Sequence, residues 1–178
     1  MNLEKILFST NQQKILSFLL KNPEEQYYDR QISLLSKVSK AGTNFALRDL
    51  AKAGIIEKEK KGKMNFYQLS ENTALVKELK IVLNIMLVNE LTEKTKEYCS
   101  KIILFGSASK GENNKESDID ILFITTEKQK VNSIVLKDHS REKIQPVIVT
   151  QNDFIKMKSD NPVFYKEVNE GKVIWIRE

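Results

Sequence analysis

The chain contains 178 residues, of which 29 are Lys or Arg and 24 are Asp or Glu, so its formal charge is +5. This length allows one medium-sized domain or two small ones, and the positive charge suits an acidic partner such as nucleic acid or a nucleotide. One cysteine and one histidine exclude an internal disulfide and a zinc site built from those residues. The longest apolar stretch, residues 81–88, is interrupted by Asn84 and is too short to span a membrane, so we expect a cytoplasmic protein with no membrane partner.

The distribution of apolar residues divides the chain into three segments and predicts an α+β protein. Residues 1–72 form a helical domain that ends in a hairpin. Residues 73–99 form a long linker helix, and residues 100–178 form a mixed β-sheet with flanking helices. We expect these three segments to be the structural parts of the chain.

Three helices are predicted in the first segment. Apolar residues at helical spacing between Ile6 and Leu20 indicate one helix, which Asn22-Pro23 ends. Asp29 is a plausible N-cap for a short second helix that carries Ile32, Leu34 and Leu35. Ser39 caps a third helix, from Lys40 to about Ala53, which Gly54 terminates.

A β-hairpin follows the third helix, with Gly62 in its tight turn and residues 63–69 as the returning strand. Three helices followed by a hairpin are typical of a winged helix-turn-helix domain. Residues 39–56 resemble the recognition helix and the start of the wing in many small transcription regulators. Double-stranded DNA is therefore an expected partner, and a protein partner is the alternative.

The third helix has one face for packing and one for binding. Thr43, Ala46, Leu47 and Leu50 share the face expected to pack on the other helices. On the other face, Asn44 and Arg48 are expected to reach base edges, and Lys40 and Lys52 to reach phosphates. The expected phosphate-binding lysines at the tip of the wing are Lys60, Lys61 and Lys63, with Lys58 beside them. Phe45 also faces outward, where it can touch a thymine methyl group or another protein surface.

The predicted linker helix carries more apolar residues than one buried stripe requires. Either both domains pack against it, or it pairs with a second chain. A homodimer would suit a winged helix that reads a two-fold symmetric DNA site.

The third segment alternates strands and helices. The predicted elements are a strand at 101–105, a helix from Ser107, a strand at 118–124, a helix at 128–139, a strand at 144–150, helices through Met157 and from Asn161-Pro162, and a strand at 173–176.

The motif that points to chemistry is Gly106-Ser107, then ten residues, then Asp118-x-Asp120. Alternate residues of a strand share a face, so the two carboxylates should lie side by side, with Cα atoms roughly 6.6 Å apart. A divalent cation relieves their repulsion, and Mg²⁺ favours one or two carboxylates together with substrate phosphates. A small residue such as Gly106 lets the backbone approach a phosphate.

This motif resembles the signature of the minimal nucleotidyltransferases in the DNA polymerase β superfamily. The run Ser107 to Glu112 also looks like that of the family, with Lys110 where Arg is usual. The resemblance implies that Asp118 and Asp120 are catalytic and hold Mg²⁺, and that Gly106, Ser107 and Lys110 bind a nucleoside triphosphate. ATP would then supply AMP to a hydroxyl acceptor.

The sequence departs from the family at its third carboxylate, where the matching position holds Gln145. Glu142 lies three residues upstream and would substitute if the strand began later. Asp153 lies past the end of the strand and is expected to stabilise the first turn of its helix.

Two functions remain open. The chain is either a transferase, for which family members that act as antitoxins suggest a toxin-like protein acceptor, or a DNA-binding regulator whose degenerate transferase domain senses a nucleotide or mediates assembly.

Overall fold

The computed structural model describes residues 3–139 and 143–177. The chain divides into two compact units, Met1–Leu83 and Asn84–Glu178. The division lies between the predicted domain limits at residues 72 and 99. None of the described helices combines the length and apolarity needed to cross a membrane.

The first unit begins with two helices, α1 (Leu3–Leu7) and α2 (Asn11–Leu20). The prediction of one continuous helix here is wrong, because Thr10 forms a capping box that starts a new helix. Its hydroxyl accepts a hydrogen bond from the Gln13 N–H, and the Gln13 side chain accepts one from the Thr10 N–H.

The next two helices are α3 (Asp29–Ser36) and α4 (Lys40–Lys52). Ser39 caps α4 as predicted, since its hydroxyl accepts a hydrogen bond from the Gly42 N–H at 3.2 Å. The predicted packing face of α4 is confirmed, and its buried residues are Thr43, Ala46, Leu47 and Leu50. In α3 only Ile32 is buried, whereas Leu34 and Leu35 are 70% and 56% exposed.

A three-stranded antiparallel sheet completes the winged helix-turn-helix fold. Strands β1 (Tyr27–Tyr28), β2 (Ile56–Lys61) and β3 (Met64–Leu69) lie in the order β1-β3-β2. Strand β1 was not predicted, because two residues are too few to show the alternation of apolar and polar residues that marks a strand. The hairpin β2–β3 turns at Gly62, whose φ of +61° suits glycine.

Helix α5 (Ala74–Thr95) contains the division between the two units and is followed by one 3₁₀ turn, Lys96–Tyr98. Val88 and Leu91 are fully buried in the core of the second unit. Other apolar side chains of α5 are exposed, among them Leu75 at 56% and Val82 at 41%. The helix therefore serves core packing and still presents apolar surface.

The second unit is a mixed sheet with helices on both faces. Its elements are β4 (Cys99–Phe105), α6 (Gly106–Lys110), β5 (Ile119–Thr125), α7 (Lys128–Lys137), β6 (Ile144–Val149), α8 (Gln151–Asp160), α9 (Pro162–Asn169) and β7 (Lys172–Ile176). The strand order is β6-β5-β4-β7, with β5 and β6 parallel and β4 antiparallel to both β5 and β7.

Alternate residues of the central strands fill two cores. Leu104 and Phe123 belong to the core that includes residues of α5 and α7. Phe105 and Leu122 belong to the core that includes residues of α8 and α9. Burial on both faces explains the nearly continuous apolar sequence of β4 and β5.

Candidate functional site

The predicted acidic pair and Gly-Ser turn meet at one end of the sheet. Phe105, the last residue of β4, pairs with Asp120 near the start of β5. Gly106 and Ser107 directly follow Phe105, and Asp118 directly precedes β5. The antiparallel register therefore brings the two halves of the motif together across neighbouring strands.

Gly106 is required both by its backbone conformation and by the carboxylate beside it. Its φ is +66°, and a Cβ at this position would overlap Oδ2 of Asp120. Any other residue would be strained and would displace the carboxylate. The glycine thus allows the side chain of Asp120 to lie directly against the turn.

Gln145 lies beside both aspartates. Because β6 runs parallel to β5, Gln145 pairs with Asp120 in the sheet register. Its amide Nε2 donates a hydrogen bond to Oδ2 of Asp118 at 2.7 Å. The residue predicted to replace a carboxylate therefore does lie at the acidic pair, where it contributes a hydrogen-bond donor and no charge.

Of the other two acidic residues considered from the sequence, only Asp153 lies within the described residues, and it does not join this group. Glu142 lies outside the described residues. Asp153 belongs to the capping box of α8 with Thr150, and it forms an ion pair with Lys128 at 2.7 Å. These hydrogen bonds, first that of Lys128, lower the pKa of Asp153 to about 2. Its predicted role as a helix-stabilising residue is confirmed.

The electrostatics of the pair are unfavourable without a cation. Burial raises the pKa of Asp120, with further contributions from the negative charges of Glu167 and Asp118. Sequence reasoning missed Glu167, because an isolated acidic residue on an exposed stretch of α9 carries no signal of its neighbours. A divalent cation at this place would meet negative charge already concentrated by the fold.

The donor set at the pair suits Mg²⁺. Within residues 3–139 and 143–177, no three His, Cys, Asp or Glu side chains are arranged to hold a metal ion. Asp118 and Asp120 would offer a cation two carboxylates, which is the number Mg²⁺ commonly uses when substrate phosphates complete its coordination.

Lys110 is the last residue of α6 and is exposed. Its Nζ lies 3.9 Å from Oε2 of Glu170, which is also largely exposed. Such a surface pair is weak, so the lysine can exchange this partner for a phosphate. Its predicted role in nucleotide binding stays a prediction.

A comparison with known protein families matches the part of the chain that contains this site. The family model for polymerase beta nucleotidyltransferases matches residues 87–178, just over half of the sequence. The chain belongs to this nucleotidyltransferase family. The match includes the Gly-Ser turn, both aspartates and Gln145.

Two solved structures are similar to parts of this nucleotidyltransferase-family chain. One is a protein from Sulfolobus solfataricus described as a candidate nucleotidyltransferase, with 18% identity over 57% of this chain and 87% of that one, and a TM-score of 0.39. The other is TrmBL2, an archaeal chromatin protein with a novel mode of DNA binding, with 15% identity over 90% of this chain and 70% of that one, and a TM-score of 0.32. At such TM-scores neither structure defines the activity of this chain. No curated protein matches its sequence significantly.

The first unit of this nucleotidyltransferase-family chain presents the predicted binding face of α4. The residues proposed to contact DNA from this helix are all exposed, namely Lys40, Asn44, Arg48 and Lys52. The guanidinium carbon of Arg48 lies 5.0 Å from the centroid of the Phe45 ring, and Phe45 is itself 57% exposed. This cation–π contact holds the arginine against an apolar side chain on the same surface.

The lysines of the wing differ in their surroundings. Lys60, Lys61 and Lys63 are all exposed. Lys61 Nζ lies 3.0 Å from Oε2 of Glu59 and donates a hydrogen bond to Oε1 of Gln26 at 2.6 Å. The charge of Lys61 is therefore partly compensated within the protein.

Proposed function

We propose that the second unit binds a nucleoside triphosphate together with Mg²⁺ and transfers its nucleoside monophosphate to a hydroxyl acceptor, with ATP as the donor. The observation that supports this most strongly is the convergence of Asp118 and Asp120 with the Gly106-Ser107 turn. Membership of the nucleotidyltransferase family agrees with it.

Each residue of the site has a role under this proposal. Asp118 and Asp120 supply carboxylate oxygens to the cation, and the turn at Gly106 and Ser107 leaves room for phosphate oxygens beside them. When bound, the metal stabilises the charge on the entering and leaving oxygens of an in-line displacement. The protein contributes chiefly by holding the reacting groups in place.

Labelled ATP and Mg²⁺ test this function when they are incubated with the protein and a cell extract as a source of acceptors. We expect label transfer by the parent and loss of transfer in Asp118→Asn and Asp120→Asn. Asp160→Asn, which removes an exposed carboxylate at the end of α8, is the matched control and should retain transfer. Equal transfer by the parent and both aspartate variants would contradict the assignment of the site.

A regulator that binds the nucleotide without transferring it is the second candidate, and Gln145 favours it. An amide cannot accept the proton of an attacking hydroxyl, and this one already donates a hydrogen bond to Asp118. Under this alternative the parent binds ATP with Mg²⁺ in calorimetry but releases no pyrophosphate with any acceptor tested.

We also propose that the first unit binds double-stranded DNA through α4 and the wing. Its support is the exposed face with Asn44, Arg48 and Lys52, opposite the buried face of the same helix. A homodimer would place two such faces on a two-fold symmetric site. If the transferase is active, a toxin-like protein encoded nearby is one acceptor that would fit a DNA-binding antitoxin.

A further inference from the structure

Asn84 is a buried polar residue in the most apolar stretch of the chain. It lies on α5 with only 7% of its surface exposed. Its Nδ2 donates hydrogen bonds to the Ala108 carbonyl at 2.8 Å and to Oδ1 of Asn113 at 2.9 Å. Asn113 Nδ2 donates back to Oδ1 of Asn84 at 3.3 Å. A buried amide is costly unless satisfied, and here both its donor and acceptor atoms are engaged.

The partners of Asn84 belong to the two segments that flank the acidic site. Ala108 directly follows Ser107 in α6. Asn113 lies in the segment that leads from α6 to Asp118. That segment is itself held in a turn, because Oδ1 of Asn114 accepts hydrogen bonds from the N–H groups of Glu116 and Ser117. One side chain of α5 therefore ties the Gly-Ser turn to the approach to Asp118.

The two buried threonines of α5 are satisfied differently. The hydroxyl groups of Thr92 and Thr95 donate to the carbonyls of Val88 and Leu91, which are one turn earlier in the same helix. Such bonds stay within the helix and fix nothing else. Asn84 differs because its side-chain hydrogen bonds all lead to the segments beside the site.

We propose that Asn84 is a positioning residue for the nucleotide site. It fixes the helix after Ser107 and the turn before Asp118 relative to each other, so that the phosphates and the cation are bound in one geometry. The inference rests on the proposed nucleotide binding and adds a residue from outside the motif. The hydrogen bonds between Asn84 and Asn113 hold the segment that leads to Asp118 in place.

The affinity of a fluorescent ATP analogue, measured with and without Mg²⁺, tests this role. Asn84→Leu keeps the approximate volume and removes all three hydrogen bonds, whereas Asn113→Ala removes only those to the turn. We expect each variant to bind the analogue with Mg²⁺ about tenfold more weakly, a loss of about 1.4 kcal/mol, because the two segments beside the site are no longer held together. The affinity without Mg²⁺ should change much less, because the cation is what requires Asp118 and the phosphates to be aligned.

Thr95→Val is the matched control, since it removes a buried hydrogen bond from the same helix without touching the site segments. It should lower the melting temperature and leave the affinity with Mg²⁺ unchanged. If Asn84→Leu does not fold, Asn113→Ala decides the question, because Asn113 lies in a partly exposed loop. Parent-like affinity with Mg²⁺ in Asn113→Ala, or equal losses with and without Mg²⁺, would overturn the role of the asparagine pair. Failure of the parent to bind the analogue would instead overturn the nucleotide proposal on which it rests.

Discussion

Gln145 places a neutral amide beside the acidic pair, where a carboxylate would add a third negative charge. Asp118 and Asp120 are the neighbouring carboxylates, Glu167 adds a negative charge that acts on Asp120, and Gln145 directs a hydrogen-bond donor at Asp118. Sites that clamp both the attacking and the leaving oxygen commonly hold two metal ions. A site with only two carboxylate ligands favours one cation over two. Gln145 therefore affects whether the site can transfer a nucleoside monophosphate or only bind the nucleotide.

Gln145→Asp should therefore strengthen binding of a divalent cation. We expect Mn²⁺ to bind at least about tenfold more tightly in calorimetry, because a third charge within a few ångströms attracts a cation by several kcal/mol at an effective dielectric of about 20. Any transfer activity should rise in the same variant.

Gln145→Ala is the control, since it removes the hydrogen bond to Asp118 without adding charge. It should not bind Mn²⁺ more tightly than the parent. If Gln145→Asp and the parent have the same affinity for Mn²⁺, the side chain at this position lies outside the coordination shell of the cation.

At the scale of single elements, α4 combines packing and recognition on opposite faces. Its buried face is set by four residues at helical spacing, and this rigid attachment orients the exposed face. Arg48 is further restrained by its contact with Phe45. A restrained arginine loses less freedom on binding, which favours it as a base-reading residue.

Arg48→Ala is expected to weaken binding to a DNA site selected from a random library by about 1–3 kcal/mol. Affinity measured by fluorescence anisotropy would show this loss for the selected site and a smaller one for unrelated DNA. Lys14→Ala removes one exposed charge from α2 and should have little effect on the preference between sites. An unchanged affinity for the selected site in Arg48→Ala would remove this residue from the readout.

The start of α8 provides a test that depends on pH. The unfolded pKa of Asp153 is near 3.8 and the folded pKa is about 2, because Lys128 and the capping hydrogen bonds favour the carboxylate. Its contribution to stability is therefore fully present above pH 3.8 and is lost as the pH falls through about 2. Asp153→Asn should melt at a lower temperature than the parent at neutral pH, and the difference should shrink toward pH 2.

Asp160→Asn at the other end of α8 serves as the comparison in these melting experiments. A negative charge near the C-terminus of a helix opposes the helix dipole, so its removal should leave the melting temperature unchanged or raise it. A difference between Asp153→Asn and the parent that stayed constant down to pH 2 would contradict the assigned cause.

For the whole molecule, the central feature is that α5 belongs to both compact units. Its buried residues Val88 and Leu91 belong to the core of the second unit, whereas Leu75 and Val82, two turns apart, are exposed. Residues seven apart lie on the same side of a helix, so these two form part of one apolar stripe. A second copy of the chain is the partner that the expected two-fold DNA site would require.

We expect sedimentation equilibrium to give about twice the chain mass of 20.6 kDa. The double variant Leu75→Glu/Val82→Glu should dissociate toward the monomer, because it places charge in the apolar stripe. Asp160→Asn changes an exposed carboxylate on α8, away from this stripe, and should leave the mass unchanged. A monomeric parent at concentrations that saturate DNA would exclude the homodimer.

Much of the fold and the central motif could be predicted because their signals are local. Helical spacing marked the buried face of α4, and apolar runs with Gly106-Ser107 between them marked β4 and the turn. Where the sequence was misleading, a competing local effect explains the error. The capping box at Thr10 starts α2 as a separate helix, where helical spacing alone predicted one continuous helix.

The residues by themselves determined that the two aspartates lie side by side, because strand alternation is a property of neighbouring positions, and the resemblance of the motif to the nucleotidyltransferase signature implied that the Gly-Ser turn belongs with them. Only the tertiary structure decided that Gln145 donates to Asp118, that burial and the charge of Glu167 raise the pKa of Asp120, and that Asn84 donates to the carbonyl of Ala108. These contacts join residues 24 to 47 positions apart in the chain. Their formation depends on sheet register and helix packing, which are set by the balance of all contacts in the core and leave no mark in a short stretch of sequence.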